Sequence, residues 1–447
     1  MSVFPFISVK IENEVVLILR LRVFGQNEHI MKSGFFGKFS WEVGLISAVL
    51  TATSHLEAQS PSGRGGGVIE LPPIETALAR KQLFVDFGNT SPGLAKIARA
   101  AFRLHGGYKM VASTQGHHSF EFKAAGPTQV SLRISSGNPR RTVLTQAYSG
   151  ADQQAAILRA CDEAVSQTLK IPGFFSGKFA LISDHSGSKE IYVGNVLLRP
   201  ALAKTNFKKL TYNASWSRDG RGIFFTSNRH TFNNVFLLNL PDGRITTVAK
   251  YKGNNLRASQ NPITGQVAFI LSVTGNPELW LASAPTARPK RVTKNRSNES
   301  GPCWSPDGKR LIVTSDARGK PQLYGVSLST GALSRIPTNL SSHCTEASWN
   351  PRDSSKIAFT AAVSGGFQIA LFDGQEGKSR FLTSGSNDGM QACWLNDGRH
   401  IVFTSRSKSG SKGLMILDTE GVGAKPQALH GTNMGNCSQV SFFYPKF

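Results

Sequence analysis

The chain has 447 residues with 40% hydrophobic content and abundant glycine and proline, which allows two or three domains and is typical of turn-rich β proteins. Its formal net charge of +23 comes from scattered lysines and arginines without a long basic run, which disfavours a nucleic-acid binder and favours attraction to anionic envelope components or an acidic partner. The five cysteines form no C-x-x-C pair and no Cys/His cluster with zinc spacing, so the sequence indicates no metal site.

The N-terminal residues 1–58 have the layout of a secretory signal peptide behind an extended or spurious start. A basic stretch begins at Met31, which we expect to be the true start, and an apolar run of small residues follows at 43–53. Ser54 and Ala58 are possible cleavage points. The apolar run is too short to span a bilayer, so we expect export without stable membrane insertion; a buried strand or helix is the alternative.

Two further regions precede the repeats. Residues 59–82 have the composition of a flexible linker. Residues 83–173 predict a small mixed α/β domain, in which a first strand and a helix capped by Ser91 are followed by strand-like runs between 108 and 148 and by an amphipathic helix at 151–169. No residue pattern in this domain indicates catalysis.

From residue 174 to residue 447 the sequence is organised by a repeat whose clearest copy, Trp-Ser-Pro-Asp-Gly, begins at Trp304. Aligned on the tryptophan, the copies lie at 216, 260, 304, 349 and 394, which are steps of 44, 44, 45 and 45 residues; Gln260 replaces the tryptophan in one copy. Each copy predicts four antiparallel strands with a Pro-Asp-Gly type of turn. Radial repetition of such sheets is a β-propeller.

Five copies follow the tryptophan pattern, and a sixth blade is predicted from both ends of the domain. Strands at 179–204 precede the first tryptophan strand, and a last strand at 440–445 would complete their sheet and close the ring. The predicted fold is therefore a small mixed α/β domain followed by a six-bladed β-propeller. Its repeat positions are Trp216, Trp304, Trp349, Trp394 and, in the last strand, Phe443.

This combination resembles the TolB family, the periplasmic propeller components of bacterial Tol-Pal systems, with their WD40-like (PD40) repeats. The stretch at 141–148, the helix after it and the stretch at 170–175 are similar to the family's domain junction, and 292–299 is similar to a family blade connection. The resemblance covers about residues 80–447. It departs at Gln260, in the basic balance and at the N-terminus.

The resemblance implies a non-enzymatic, monomeric, periplasmic scaffold without a cofactor. In this family the propeller mouth binds the peptidoglycan-associated lipoprotein Pal, and the N-terminal segment communicates with TolA. The system supports outer-membrane invagination during cell division, outer-membrane integrity and protein import. Further envelope lipoproteins are additional candidate partners. In this chain the TolA contact would fall within 59–82, where residues 68–71 could pair with a partner as an added strand.

The mouth implied by the resemblance would be built from the loops just before each tryptophan strand. Their polar character suits hydrogen bonding to a protruding partner, although short polar turns are the alternative interpretation. The predicted partner-binding residues are Asn254, Asn255, Arg257, Asn298, Glu299, Ser300, His343, Thr345, Glu346, Asn387, Asp388 and Gln391.

The alternative function is that of a periplasmic or secreted propeller enzyme, either a hydrolase or lactonase or a peptidase-associated propeller. A peptidase of that kind would carry a G-x-S-x-G elbow, and the 447 residues contain none. Propeller hydrolases place acids and histidines around a metal in the channel. The regularly spaced acids here, Asp219, Asp307 and Asp397, lie in turns that point away from the channel. We therefore expect no catalytic residues, no metal and no cofactor.

Overall fold

The computed structural model describes residues 7–11, 15–19, 58–59, 82–113, 115–421 and 423–445. Within the first 73 residues it contains a three-stranded antiparallel sheet whose first strand lies in the middle. The strands of this sheet are Ile7–Ile11, Val15–Leu19 and Ala58–Gln59. The predicted start at Met31, the apolar run at 43–53 and the linker between 60 and 81 lie outside the described residues.

A five-stranded sheet is formed after the linker. In spatial order its strands are Tyr108–Met110, Leu83–Asp86, His118–Gly126, Gln129–Ser136 and Arg141–Ser149. Leu83–Asp86 pairs in parallel with both of its neighbours, and the remaining pairs are antiparallel. The sheet is therefore mixed, as the sequence predicts.

Helix α1 (Pro92–Arg103) and helix α2 (Gln153–Leu169) pack against this sheet and against each other. Proline at the start of α1 occupies a position where no backbone N–H is needed. The Asp152 carboxylate caps α2 by accepting the N–H of Ala155 at 2.7 Å. Helix α2 ends at Lys170, which has a left-handed backbone with φ of 57°.

The propeller consists of six four-stranded antiparallel sheets, here called blades 1 to 6. Blade 1 contains Lys178–Ser183, Glu190–Asn195, Ala201–Ala203 and Cys437–Phe443. Blade 2 contains Thr211–Trp216, Gly222–His230, Phe232–Asn239 and Ile245–Ala249. Blade 3 contains Asn255–Gln260, Val267–Leu271, Glu278–Ala282 and Lys290–Arg291.

The remaining three blades repeat the same arrangement. Blade 4 contains Glu299–Trp304, Leu311–Ser315, Gln322–Val326 and Leu333–Arg335. Blade 5 contains Cys344–Trp349, Lys356–Val363, Gly366–Asp373 and Lys378–Phe381. Blade 6 contains Asp388–Trp394, His400–Arg406, Lys412–Asp418 and Gln427–Ala428, and a short 3-10 helix at Thr432–Met434 leads to the last strand. The predicted six-bladed propeller is confirmed.

The innermost strand of every blade runs from one end of the propeller to the other. We call the end at which these strands begin the mouth, and the end that carries the tight turns after the tryptophans the turn end. The innermost strand of blade 1 is the C-terminal strand Cys437–Phe443, which pairs with Lys178–Ser183. The predicted closure of the ring by the C-terminal strand is confirmed.

The register of the closing strand differs by one residue from the sequence prediction. In blade 2 the repeat tryptophan, Trp216, is the third residue after the bulged Asn213. In blade 1 the third residue after the bulged Gln439 is Phe442. Phe442 therefore takes the tryptophan position and Phe443 follows it, so the assignment of Phe443 to that position is wrong.

Indole hydrogen bonds between blades support this register. Three of the four repeat indoles donate to the backbone carbonyl that directly precedes the tryptophan position of the neighbouring blade, whereas the Trp349 indole donates to Ser354 in its own turn. The pairs are Trp304 to Ser259 at 3.0 Å, Trp394 to Ser348 at 3.1 Å and Trp216 to Ser441 at 3.1 Å. The Phe-Tyr-Pro sequence from residue 443 resembles Trp-Ser-Pro. In this strand, however, Pro445 follows the tryptophan position by three residues instead of two, so an alignment on the proline shifts the register by one residue.

The hydrophobic core of the α/β domain continues into the propeller. It extends from Phe120 of the sheet through Phe174 and Phe175 to Leu395 and Ile416 of blade 6. Each of these side chains is at most 2% exposed. The α/β domain is therefore docked on blade 6.

Candidate functional site

Every innermost strand contains one β-bulge at the same place, and the bulged residue has a left-handed backbone. A bulge re-aims one side chain out of the regular pleat. The six residues, with their φ values, are Asn213 (57°), Arg257 (38°), Gly301 (57°), Glu346 (56°), Gln391 (59°) and Gln439 (54°). We call them the channel ring, because five of the six line a central cavity of about 240 Å³.

Threonines hold the channel ring in place between the blades. In four cases the backbone N–H of the bulged residue donates to a threonine Oγ1 on the second strand of the preceding blade. The pairs are Arg257 with Thr226 at 3.2 Å, Glu346 with Thr314 at 3.3 Å, Gln391 with Thr360 at 3.0 Å and Gln439 with Thr404 at 3.1 Å. The ring positions are thus fixed by hydrogen bonds that cross from blade to blade.

The channel ring contains one cation and one anion, which form an ion pair. Arg257 Nη2 and Glu346 Oε1 are 3.5 Å apart, and both side chains are partly exposed. Gly301 lies between them in the ring, and a Cβ atom there would lie 3.9 Å from Arg257 Nη1, so the absence of a side chain leaves room for the guanidinium to reach Glu346. The other Glu346 oxygen, Oε2, accepts the Thr360 hydroxyl at 2.9 Å. The cavity is therefore lined by a guanidinium, which donates hydrogen bonds, and by a carboxylate, which accepts them.

Most of the predicted mouth residues lie at the mouth with accessible side chains. Asn254, Asn298, Ser300 and Asn387 are exposed, and His343, Thr345, Arg257, Glu346 and Gln391 are half-buried. The asparagine amides are already oriented, since Asn254 Oδ1 accepts from Asn233 at 3.0 Å and Asn298 Nδ2 donates to Asp316 at 2.8 Å. The structure therefore brings nine of the predicted residues to one end of the propeller.

Three predicted mouth residues have buried side chains instead: Asn255, Glu299 and Asp388. Glu299 accepts hydrogen bonds from Thr293 at 2.8 Å and Ser315 at 3.0 Å, and burial raises its pKa. In this structure these residues hold the loops together, so the prediction that they contact a partner is corrected. A polar residue at the start of a strand can either hold the loop in place or contact a partner, and the sequence pattern does not distinguish these two roles.

Asn255 and Asp388 show how this internal role is fulfilled. Asn255 donates to the carbonyl of Tyr251 at 2.9 Å and accepts the N–H of the same residue at 2.8 Å. Asp388 accepts the Phe367 N–H at 2.9 Å and pairs with Arg406 at 2.7 Å. Both residues connect a mouth loop to its own sheet or to the neighbouring one.

Sequence reasoning missed three members of the channel ring, Asn213, Gly301 and Gln439. Each lies three residues before a tryptophan position, as Arg257, Glu346 and Gln391 do. Applying the repeat period to that position finds Asn213 and Gly301 directly. Finding Gln439 additionally requires the corrected register at Phe442.

The recurring aspartates of the turn end are turn formers, as predicted. Asp219 accepts the Ser217 hydroxyl at 2.6 Å and the Arg221 N–H at 3.0 Å. Asp307 accepts the Ser305 hydroxyl at 2.5 Å in the equivalent turn. Because their carboxylate oxygens are used within the turn, these acids are not arranged around the channel.

In the part of the chain that the structure describes, one group of three potential metal ligands has its atoms within 4.8 Å of one another, namely His105, Asp397 and His400. All three side chains are buried. His400 Nδ1 lies 2.5 Å from Asp397 Oδ2, and its Nε2 accepts the N–H of Gly106 at 3.2 Å. Both nitrogens of His400 are therefore used by the protein, and we interpret the group as the joint between the α/β domain and blade 6.

A buried ion pair reinforces this joint. The Arg399 guanidinium binds Asp418 through two bonds of 2.9 and 2.7 Å, and both side chains are at most 7% exposed. Burial lowers the pKa of His105, as do the nearby His400 and Arg399, so His105 is held neutral.

Two cysteines also line the channel wall. Cys303 and Cys393 lie directly before their tryptophans, and burial raises the pKa of Cys303 to about 11 and that of Cys393 to about 12. Neither thiol is activated as a nucleophile at neutral pH.

The six blades, the docked α/β domain and the polar channel ring define a β-propeller protein with a polar central channel. The family model described as TolB beta propeller domain (PD40) matches residues 213–437, half of the chain, and the chain belongs to this family.

Curated relatives agree with this assignment. The Tol-Pal system protein TolB of Desulfosudis oleivorans is 29% identical over 174 residues, 38% of this chain and 40% of the relative. Protein TolB homolog of Chlorobium luteolum is 28% identical over 209 residues, 46% of this chain and 48% of the relative. A Tol-Pal system protein TolB of Francisella tularensis is 28% identical over 246 residues, 54% of each. The chain spans about half the length of the curated relatives it matches.

A solved structure extends the likeness of fold. TolB from Acinetobacter baumannii superposes with a TM-score of 0.71 at 19% identity and covers 82% of this chain and 97% of that chain. Among the residues that the structure describes, none of the helices combines the length and the apolar character needed to cross a membrane.

Proposed function

We propose that this chain is a non-enzymatic scaffold of a Tol-Pal system, that it acts in the periplasm, and that its mouth binds a Pal-like, peptidoglycan-associated lipoprotein. The channel ring is the observation that carries the proposal. Its members Arg257, Glu346 and Gln391 line the central cavity, and the loops at the mouth carry exposed asparagines, which supports binding at this end. Membership of the TolB propeller family and relatives named Tol-Pal system proteins support the same function.

The mouth would engage a protruding segment of the partner in two layers. Asn254, Asn298 and Asn387 at the rim would meet it first, and the channel ring would bind its tip. A cavity of about 240 Å³ accommodates a loop tip or a few side chains rather than a folded unit. The Arg257 guanidinium and the Glu346 carboxylate would both seek hydrogen-bonding partners, so the ring would select a polar tip.

The second part of the proposal concerns the N-terminal region. A TolA-like partner would bind within residues 59–82, with 68–71 as a candidate strand for pairing. Through both partners the protein would support outer-membrane invagination during division, outer-membrane integrity and protein import. Further envelope lipoproteins would compete for the same mouth.

The test is an isothermal calorimetric titration of the full chain with the soluble domain of a Pal-like lipoprotein. Arg257→Ala and Gln391→Ala should each weaken binding by about tenfold, since each removes a central polar contact. Lys309→Ala, an exposed lysine at the turn end, is the matched control and should bind as the parent does. Absence of binding by the folded parent, or equal binding by the ring and control variants, would overturn the proposal.

A further inference from the structure

One sector of the mouth-side surface, over blades 1 to 3, combines exposed apolar side chains with lysines. It consists of the loops 204–210, 228–233 and 249–254, which we call the basic rim. Phe232 is 69% exposed, Leu210 is 43% exposed and Tyr251 is 37% exposed, so each loop presents one large apolar side chain to solvent.

Hydrogen bonds connect the three loops into one surface. The Asn228 N–H donates to the Leu210 carbonyl at 3.2 Å, which joins the first loop to the second. Asn233 Nδ2 donates to Asn254 Oδ1 at 3.0 Å, which joins the second loop to the third. The three apolar side chains therefore belong to neighbouring loops with a fixed relation to one another.

The charge of the basic rim is of one sign. No Asp or Glu occurs in the three loops, and the only acids between residues 191 and 277 are Asp219 and Asp242, both in turns at the turn end. Glu190 lies beneath the rim but is buried, and it accepts the N–H groups of Phe207 at 2.7 Å and Lys208 at 2.8 Å. The basic side chains of the rim are Lys204, Lys208, Lys209, Arg229, His230, Lys250 and Lys252.

The hairpin that carries Phe232 is supported at its base. The Arg229 guanidinium lies 4.3 Å from the ring centre of Phe207 and 5.6 Å from that of Phe236. Thr231 turns the chain with a left-handed backbone, φ 77°, and His230 pairs with Phe232 across the hairpin. The aromatic ring of Phe232 is thus held out at a tip whose neighbours are fixed.

We propose that the basic rim docks on an anionic phospholipid surface, with Phe232, Leu210 and Tyr251 entering the headgroup layer. Aromatic and aliphatic tips framed by lysines are the side-chain chemistry of interfacial membrane binding, in which apolar burial and attraction to anionic lipid act together. A lipid layer is continuous, so it accepts three separated tips and the five exposed lysines of the rim at once. This peripheral contact goes beyond the proposed binding of a lipoprotein in the channel and does not depend on it.

The test is co-sedimentation of the full chain with phosphatidylcholine vesicles that contain or lack phosphatidylglycerol. Binding should require phosphatidylglycerol and weaken by about tenfold or more on raising the salt concentration, because exposed charges are screened. The double variant Lys209→Glu/Lys252→Glu should fall to background, and Phe232→Ala should weaken binding severalfold at unchanged net charge.

Matched controls lie at the turn end. Ile263→Ala removes an apolar side chain that is 59% exposed, and the double variant Arg244→Glu/Lys309→Glu reverses two exposed basic residues, as the rim variant does. Both should sediment as the parent does. Equal loss in the rim and control variants would show attraction by net charge alone and overturn the proposal. Failure of the folded parent to bind anionic vesicles would overturn it too, and binding of an acidic protein or nucleic acid through the same residues would then reassign the rim.

Discussion

The two ends of the propeller are formed by the same strands, yet they satisfy their polar groups in different ways. At the turn end, a serine, an aspartate and backbone N–H groups bond within one turn, as in Ser217 with Asp219, and asparagines add bonds to the next blade, as from Asn261 to the Gly308 carbonyl at 2.8 Å. At the mouth, hydrogen bonds cross between blades, as from Gln391 to Thr360, and exposed amides remain at the rim. The turn end therefore carries the regular part of the repeat sequence, and the mouth carries the irregular part, with exposed amides.

The largest effect is expected from opening the ring. Deletion of residues 437–447 removes the innermost strand of blade 1 and leaves Lys178–Ser183 without its partner. We expect loss of cooperative unfolding, a change of roughly 5 kcal/mol or more, since this equals the stability of a typical domain. Thermal unfolding followed by circular dichroism measures it. Deletion of residues 446–447 alone should retain the parental transition, and a cooperative transition in the longer deletion would contradict closure by this strand.

The next effect concerns the buried pair at the turn end. Asp418→Ala leaves the Arg399 guanidinium buried without its carboxylate, which should cost about 3–5 kcal/mol. Urea denaturation measures the free energy of unfolding. The double variant Arg399→Met/Asp418→Leu should recover most of this loss, because it removes both charges. A single variant as stable as the parent would contradict the burial of this pair.

A pH-dependent effect is expected at the same joint. Burial keeps the pKa of His105 below its value of 6.5 in the unfolded chain, so the unfolded state binds a proton that the folded state does not. The free energy of unfolding is therefore unaffected by His105 above pH 6.5. Below pH 6.5 it falls by up to about 1.4 kcal/mol for each pH unit, because only the unfolded chain takes up the proton. His105→Phe should remove the loss and retain the ring that stacks on Phe174.

The measurement is urea denaturation of parent and His105→Phe at pH 7 and pH 5. The parent should lose up to about 2 kcal/mol more than the variant over this interval. Asp162, whose pKa burial raises to about 6, titrates in the same interval with the opposite sign, but it is present in both proteins and cancels in the difference. Parallel losses in the two proteins would show that His105 is not the group responsible.

The smallest effect on stability is expected at the mouth. Glu346→Gln breaks the partly exposed pair with Arg257, whose atoms are 3.5 Å apart, and should change the free energy of unfolding by less than about 1 kcal/mol. The same denaturation assay checks this. If Glu346→Gln lowered the free energy of unfolding as much as Asp418→Ala does, the ion pair at the mouth would be as important for stability as the buried pair at the turn end, which would contradict this prediction.

The period of the repeat was sufficient to predict the propeller, because four strands and a turn recur at nearly constant spacing. The prediction is wrong at Phe443, because it aligns the last strand on Pro445. The register is set instead by the bulge at Gln439, which the sequence does not reveal. The prediction was also incomplete at the joint, since Gly106 and His400 meet although they are 294 positions apart. At the mouth, Asn254 and Asn255 are adjacent and identical in type, and only the fold decides that one is exposed and the other buried.

The closing strand also determines when the propeller can form during synthesis. Lys178–Ser183 leaves the ribosome early, and its innermost partner, Cys437–Phe443, is made after the strands of blades 2 to 6. Until then blade 1 has an open edge, so the ring closes only after nearly all of its residues have been translated.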